Sequence, residues 1–439
     1  MKPLLGERAI VLGGSIAGTF AASVLATRYS EVVVVDRDTV LGVDQPRKGA
    51  SHTAHAHGLH ARGLLMVEEL FPGTLDDLQA AQLPVGDLGE MHWYVNGRLL
   101  APAKTGLLSV TPQRPVLENY LRNRVATLPN VRYRQHTDIL APITSPDRQR
   151  ITGVRVRDES GESELTADLV VDTTGRGSRT PAWLAELGYD RPSEDRMKIG
   201  LAYTTRIYRK RPEMFDGVQS VNLIATPRFP RGCFFGQVAK DECILSLTGI
   251  NGDRPPTEPG AFLEFVRSLP VPRVYEAVRD AEPLTEPVSF TFPASVRRRY
   301  ELLRRMPAGL LVMGDAVCSF NPVYGQGMSV SALEAGALRD CLADGTAPEP
   351  LAFQRRIAAV IDVPWEISTS GDLDFPEVEG KRTVKVRVGN AFMAKVQRAA
   401  MRDPAVTSAY MKVAGLAASP ASMMRPSMVA RVLRQSRQA

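Results

Sequence analysis

Residues 8–36 read RAIVLGGSIAGTFAASVLATRYSEVVVVD. A short apolar run, Arg8–Leu12, meets Gly13-Gly14-Ser15-Ile16-Ala17-Gly18, and a helical pattern continues to about Tyr29. A second apolar run, Val32–Val35, ends in Asp36, 18 residues beyond Gly18. Strand, glycine turn, helix, strand and acid in this order form the dinucleotide-binding βαβ fingerprint. Gly13 makes the tight turn, Gly18 lets helix and strand pack closely, and a pyrophosphate sits on the helix N-terminus. Asp36 is placed for the hydroxyls of an adenosine ribose. Ser15 stands where a middle glycine is usual; it is small and can donate a hydrogen bond.

Two later stretches repeat the theme of a buried strand ending in an acid and glycines. Leu310–Met313 runs into Gly314–Leu342, GDAVCSFNPVYGQGMSVSALEAGALRDCL. Pro322, Gly325 and Gly327 punctuate a loop, and from Met328 small and apolar residues recur at helical spacing. Asp315 can accept hydrogen bonds from a sugar-like chain. The free N–H groups at Gly327-Met328 favour the negative charge that a reduced flavin carries at N1 and the C2 carbonyl. Ala167–Val171 likewise leads into Asp172-Thr173-Thr174-Gly175-Arg176-Gly177-Ser178-Arg179, with Arg176 or Arg179 as a counter-charge for a pyrophosphate.

Composition bounds the rest. A chain of 439 residues that is 44% hydrophobic can form two or three domains, and a net charge of +6 suits anionic cofactors without implying nucleic-acid binding. Four cysteines without a CxxC spacing read as reduced thiols of a cytoplasmic protein. The sequence shows no N-terminal signal and no run long enough for a transmembrane segment.

Asp44–His60, DQPRKGASHTAHAHGLH, holds four of the six histidines. A metal site is tempting, but Arg47 and Lys48 would repel a cation, and a basic loop near a flavin and its phosphates is the better account. Arg62–Phe71 reads as an amphipathic helix and Leu75–Leu108 as irregular. Arg114 precedes a further helix, as a surface charge or a cofactor contact. Val131–Arg134, Asp138–Leu140 and Ile151–Val156 read as strands of one small sheet. From Met197 to about residue 295 alternating strands suggest an antiparallel sheet, whose Tyr203, Phe229, Phe234, Phe235, Phe290 and Phe292 could line an apolar pocket or simply fill the core. After Pro350 the pattern is helical, with arginines gathered near the end.

GGSIAG…D at 13–36, DTTGRGS at 172–178 and GDAVCSFNPVYGQGM at 314–328 together resemble the group A FAD-dependent monooxygenases of the para-hydroxybenzoate hydroxylase fold. RKGASHTAHAH, EELFPG, DLVVDTTGRGS and SFNPVYGQGMS resemble more closely the bacterial polyether flavin epoxidases, such as the lasalocid epoxidase. The resemblance implies an α/β fold: a discontinuous Rossmann-like FAD-binding domain (1–75, 111–190 and 296–350), an antiparallel β-sheet substrate domain (76–110 and 191–295), and C-terminal helices (351–439). It places Gly13, Gly14, Ser15 and Gly18 on the pyrophosphate, Asp36 with Arg37 at the adenosine end, and Arg47, Lys48, Arg114, Asp172 and Gly175 along FAD. Gly314-Asp315 would take the ribityl chain or pyrophosphate, and Gly327-Met328 the flavin ring. Asp-Thr-Thr-Gly at 172–175 departs from the Asp-Gly of many relatives, leaving NAD(P)H or a separate flavin reductase as the electron source.

The implied activity is insertion of one oxygen atom from O2 through a C4a-hydroperoxyflavin, with Pro322 and Gly325 shaping the reaction niche. The absence of histidine between 195 and 295 favours epoxidation of an alkene in an apolar polyketide or isoprenoid intermediate, which needs no side-chain base. Aromatic hydroxylation, or a non-redox cyclisation with FAD as a structural cofactor, are the alternatives. A two-nucleotide reductase is disfavoured because no second glycine fingerprint is present.

Overall fold

The computed structural model describes residues 3–437. At its centre five parallel strands run in the order Leu310–Val312, Leu169–Asp172, Gly6–Leu12, Tyr29–Val35, Val131–Arg134. Their near-continuous apolar runs suit a sheet covered on both faces. Helix Ile16–Leu25 is buried almost all round, which explains its run of alanines and its lack of a polar stripe. Helix Gly327–Ala343 packs against it, also through small residues. This α/β core is joined by a seven-stranded, mostly antiparallel sheet and four C-terminal helices, beginning with Pro350–Asp372. Among the described residues no helix is long and apolar enough to cross a membrane.

The turns after three adjacent strands, Leu310–Val312, Leu169–Asp172 and Gly6–Leu12, meet at a distance that excludes side chains. A Cβ on Gly18 would lie 1.8 Å from the Gly13 carbonyl oxygen and 2.8 Å from Thr173 Oγ1. Thr173 Oγ1 itself donates to the carbonyls of Leu12, at 2.7 Å, and Gly13, at 2.9 Å. Gly314 adopts φ +68°, and a Cβ there would lie 2.7 Å from that of Ala17. Three segments separated by more than a hundred residues are thus clamped at one end of the sheet.

The seven-stranded sheet runs Val288–Phe292, Leu201–Arg209, Glu242–Gly249, Arg231–Gln237, Ser220–Ile224, His92–Val95, Arg98–Leu99. Its last two strands come from within 76–110, the otherwise irregular stretch expected to join this sheet, and helix Thr74–Ala80 overlaps the start of that stretch. Val131–Arg134 does not join the small sheet anticipated for it. It pairs in parallel with Tyr29–Val35 because helix Arg114–Ala126 returns the chain to that edge. The small sheet is instead Gly161–Thr166, Ile151–Asp158 and Asp138–Thr144, of which the first strand was not anticipated.

Gly314→Ala should lower stability by about 2–4 kcal/mol, combining left-handed backbone strain with overpacking against Ala17. Gly389, in helix Val384–Ala400, has open space where a side chain would go, so Gly389→Ala should be neutral or stabilising. Thermal denaturation of the two variants beside the parent checks the contrast.

Candidate active site

The first helix begins without a side-chain cap and without an acidic residue in its first turn. Its N-terminal N–H groups therefore remain for an anion. Asp36 Oδ2 accepts from the Gly14 N–H at 2.7 Å, fixing the carboxylate beside the glycine turn. Arg47, 9% exposed, donates from Nη2 to Ser15 Oγ at 2.7 Å and lies 3.3 Å from Asp38. A buried guanidinium is thus held at the helix N-terminus. Arg37 and Lys48 are exposed.

Glu118 organises the basic side of this cradle. It is buried, and it accepts from Arg114 at 2.8 Å and Arg122 at 2.8 Å while Arg47 lies 3.7 Å away. Burial pushes its carboxyl up, but the three guanidiniums outweigh this and hold it below the usual range. Arg114, ambiguous by sequence, is therefore an interior cation. Asp36 and Asp38 also flank Arg47, at 3.7 Å and 3.3 Å, so three carboxylates balance the three arginines, and the uncapped N–H groups of the helix are what remain for a pyrophosphate.

The other two turns close the cradle. Gly175, with φ +75°, lies against Asp315, its absent Cβ 3.9 Å from that of the aspartate. Asp172 has both oxygens occupied within its own turn, by Thr174, Ser178 and Thr180, so it shapes the loop and offers nothing outward. Arg298 ties the two turns together by donating to the carbonyls of Arg176, at 2.9 Å, and Ala316, at 2.8 Å. Beside Asp315 opens a cavity of about 340 Å³ bordered by Arg176, Arg298 and Ser319. Burial raises the Asp315 carboxyl, opposed by Arg114, Arg176 and Arg298. Gly327 opens its helix beside empty space, whereas the Met328 side chain points into the core and leaves only its backbone N–H available.

The histidine segment bridges the cradle to the antiparallel sheet. His57 accepts at Nε2 from Arg114 (3.3 Å), so its proton resides on Nδ1 and is donated to the His55 carbonyl at 2.9 Å. Burial, then Arg114, pushes the His57 pKa down to about 3. His55 reaches the sheet, its Nδ1 lying 2.8 Å from Thr205 Oγ1. His60 donates from Nε2 to the Tyr324 carbonyl at 2.8 Å and occupies the space beside Gly325, where a Cβ would meet it at 2.8 Å. Among the described residues no group of three or more His, Cys, Asp or Glu is placed to hold a metal ion.

Pro322 and Gly325 form a short turn fixed from behind. Asn321 Oδ1 accepts from the Val323 N–H at 3.0 Å, and its Nδ2 donates to Asp372 at 2.8 Å. Tyr324 reaches the same Asp372 oxygen at 3.3 Å, close against Gly371, where a Cβ would lie 2.1 Å from the hydroxyl. Asp372 is fully buried, and burial raises its pKa to about 6.

Of the aromatic candidates on the sheet, Tyr203, Phe290 and Phe292 face this region, the last with Arg176 5.8 Å over its ring. Tyr203 and Phe290 are paired across adjacent strands and stacked at 5.7 Å, with His55 5.0 Å from Tyr203 and Arg176 5.6 Å over Phe290. Phe235 lies on the opposite face, stacked on Phe215 in a separate core, and Phe229 packs against that core too. Phe234, one position along, pairs with Ser246 and shares the face of Thr205. Strand parity decides which of these residues can serve a site, and parity needs the register.

Residues 9–228 match the family FAD dependent oxidoreductase. The chain belongs to that family. It is 34% identical over 387 residues to Protein Rv3254 of Mycobacterium tuberculosis, covering 84% of this chain and 81% of that protein. Among solved structures it is similar to a flavoprotein/dehydrogenase from Cytophaga hutchinsonii, with TM-score 0.69, 13% identity and coverage of 93% and 92% of the two chains. It is also similar to PqsL, a probable FAD-dependent monooxygenase from Pseudomonas aeruginosa, with TM-score 0.62, 18% identity and coverage of 84% and 98%. At these identities the structural likeness is one of fold.

The residues present fit FAD: an uncapped helix N-terminus with the buried Arg47 beside it, a fixed carboxylate at Asp36, and a second at Asp315 beside an open cavity. The buried acid behind the niche yields a test. The Asp372 pKa is raised from 3.8 to about 6, so its contribution is fully present below about pH 4 and lost as pH rises through about 6. Asp372→Asn, which keeps an acceptor oxygen, should gain about 2–3 kcal/mol relative to the parent between pH 4 and pH 7, from the pKa difference. Urea denaturation at both pH values checks this; a pH-independent difference contradicts it.

Proposed function

We propose that this FAD-dependent oxidoreductase is a monooxygenase transferring one atom of O2 to an electron-rich carbon–carbon double bond of an apolar natural-product intermediate, a polyketide or an isoprenoid. The observation that carries this reading is the aromatic wall of Tyr203 and Phe290, set against the nucleotide cradle through Arg176. Bound FAD, reduced by NAD(P)H or by a separate flavin reductase, supplies the activated oxygen. The chain's own residues do the rest. Arg47 and Ser15 hold phosphate, and Asp36 and Asp315 hold the sugar hydroxyls. The Pro322–Gly325 turn, locked by Asn321, Tyr324 and His60, walls off the reacting region from water.

An isolated alkene would leave as an epoxide, the chemistry of the polyether epoxidases that the motifs resemble. A second reading is hydroxylation of a phenol or enol, favoured by His55. Residues 195–295 contain no histidine, but His55, from outside that span, lies against the sheet. Non-redox cyclisation remains a separate outcome.

Farnesol and 2-naphthol, each incubated with the FAD-loaded protein, NADPH and isotopically labelled O2, should separate these readings by mass spectrometry. One labelled oxygen in a product is expected. Products that form equally without O2 and reductant would replace the monooxygenase reading with cyclisation. Consumption of O2 wholly to hydrogen peroxide with both probes would overturn it.

A further inference from the structure

We propose that His55 is a specificity-determining residue, binding a hydroxyl oxygen of the substrate through Nε2, and that the substrate is therefore a flat unsaturated framework carrying at least one hydroxyl group. This deepens the reading given above and rests on it for what happens to the substrate after binding.

Four observations on His55 converge. First, the ring is 5% exposed and clasped by aromatics, with Tyr203 at 5.0 Å and Phe290 at 5.8 Å, so its plane is fixed. Second, Nδ1 lies 2.8 Å from Thr205 Oγ1, which lies 2.7 Å from Ser246 Oγ. Third, the backbone is held by the His57 Nδ1–H donated to the His55 carbonyl. Fourth, among the described residues no protein group bonds Nε2, and yet that atom is not among the buried polar atoms lacking a partner, so it remains reachable by a small molecule. A histidine serving only as core would not need one nitrogen tethered, its ring stacked and its other nitrogen left accessible.

The chemistry of the neighbours defines what Nε2 meets. Burial pushes the His55 pKa down to about 4, so the ring is neutral at ordinary pH. The hydroxyls of Thr205 and Ser246 can turn. If they donate towards Nδ1, then Nε2 carries a proton and binds an acceptor oxygen; if they accept, Nε2 itself accepts from a hydroxyl. The tether therefore suits a hydroxyl, which both donates and accepts, whereas a hydrocarbon leaves Nε2 unpaired. Tyr203 and Phe290, stacked at an interplanar angle of 10°, form a slab against which a flat ring can lie, and Arg176 over Phe290 places that slab beside the Asp315 turn.

The test compares 2-naphthol with 2-methylnaphthalene, which can neither donate nor accept, binding to the oxidised, FAD-loaded protein without reductant and read from the fluorescence of the naphthalenes. The parent protein should bind the naphthol about tenfold more tightly, the scale of one hydrogen bond to a buried site. His55→Phe should abolish this preference while leaving the affinity for 2-methylnaphthalene within about twofold, which also shows that the site is intact. Thr205→Val, which frees the ring without removing it, should reduce the preference partially. Equal affinities in the parent, absence of naphthol binding, or a preference that survives His55→Phe would each overturn the proposal. Because no oxygen is transferred in this experiment, a failure of the monooxygenase reading would appear only in the labelled-O2 experiment and leave the hydroxyl preference in place.

Discussion

The structure depends on one close approach: Gly13, Gly18, Thr173 and Gly314, from three separate parts of the chain, meet without room for a single added side chain. Thr173 bridges two carbonyls at the end of the first strand, and Gly314 rests directly on Ala17. That contact puts Asp36, the uncapped helix start, Gly175 and Asp315 around one space. Loosening it by a methyl group would part the turns that hold the nucleotide, even though none of the four residues needs to touch the flavin ring.

Electrostatics then assigns each part of that space a ligand. Glu118, Asp36 and Asp38 balance the three arginines beside them, so the uncapped N–H groups of the helix start are what a phosphate would meet, while the carboxylates at Asp36 and Asp315 sit where hydroxyls rather than phosphates would be met. The histidine segment is kept uncharged by burial at His55 and His57, the second reinforced by Arg114. It serves as an uncharged strut: His57 on the cradle, His55 on the sheet, and His60 on the turn at Tyr324. This gives the clustered histidines a structural role.

Much of this was legible in the amino-acid sequence because the signals are local. The glycine turn with Asp36, the Gly314-Asp315 turn and the alternating strands from Met197 each declare themselves within a few dozen residues. What was not legible depends on contacts across the chain. The segment Val131–Arg134 has the same texture whether it extends the parallel sheet or the small one, and only the return of helix Arg114–Ala126 decides. Phe235 and Phe234 differ by one position and lie on opposite faces, which register alone resolves. Asp172 looked like a cofactor ligand, but its own turn consumes it. The pairing of Asn321 with Asp372 and the arrival of His55 at Thr205 join residues 51 and 150 positions apart, beyond the reach of any spacing rule.

We propose that these separated turns together hold one FAD. Titrating the purified protein with FAD and following the quenching of flavin fluorescence tests it directly, with Asp36→Ala and Arg47→Ala alongside. Saturation at one FAD per chain is expected, with about tenfold or greater weakening in either variant from the loss of a charged hydrogen-bonding group. A chain that stays colourless at saturating FAD, or variants that bind as tightly as the parent, would contradict it.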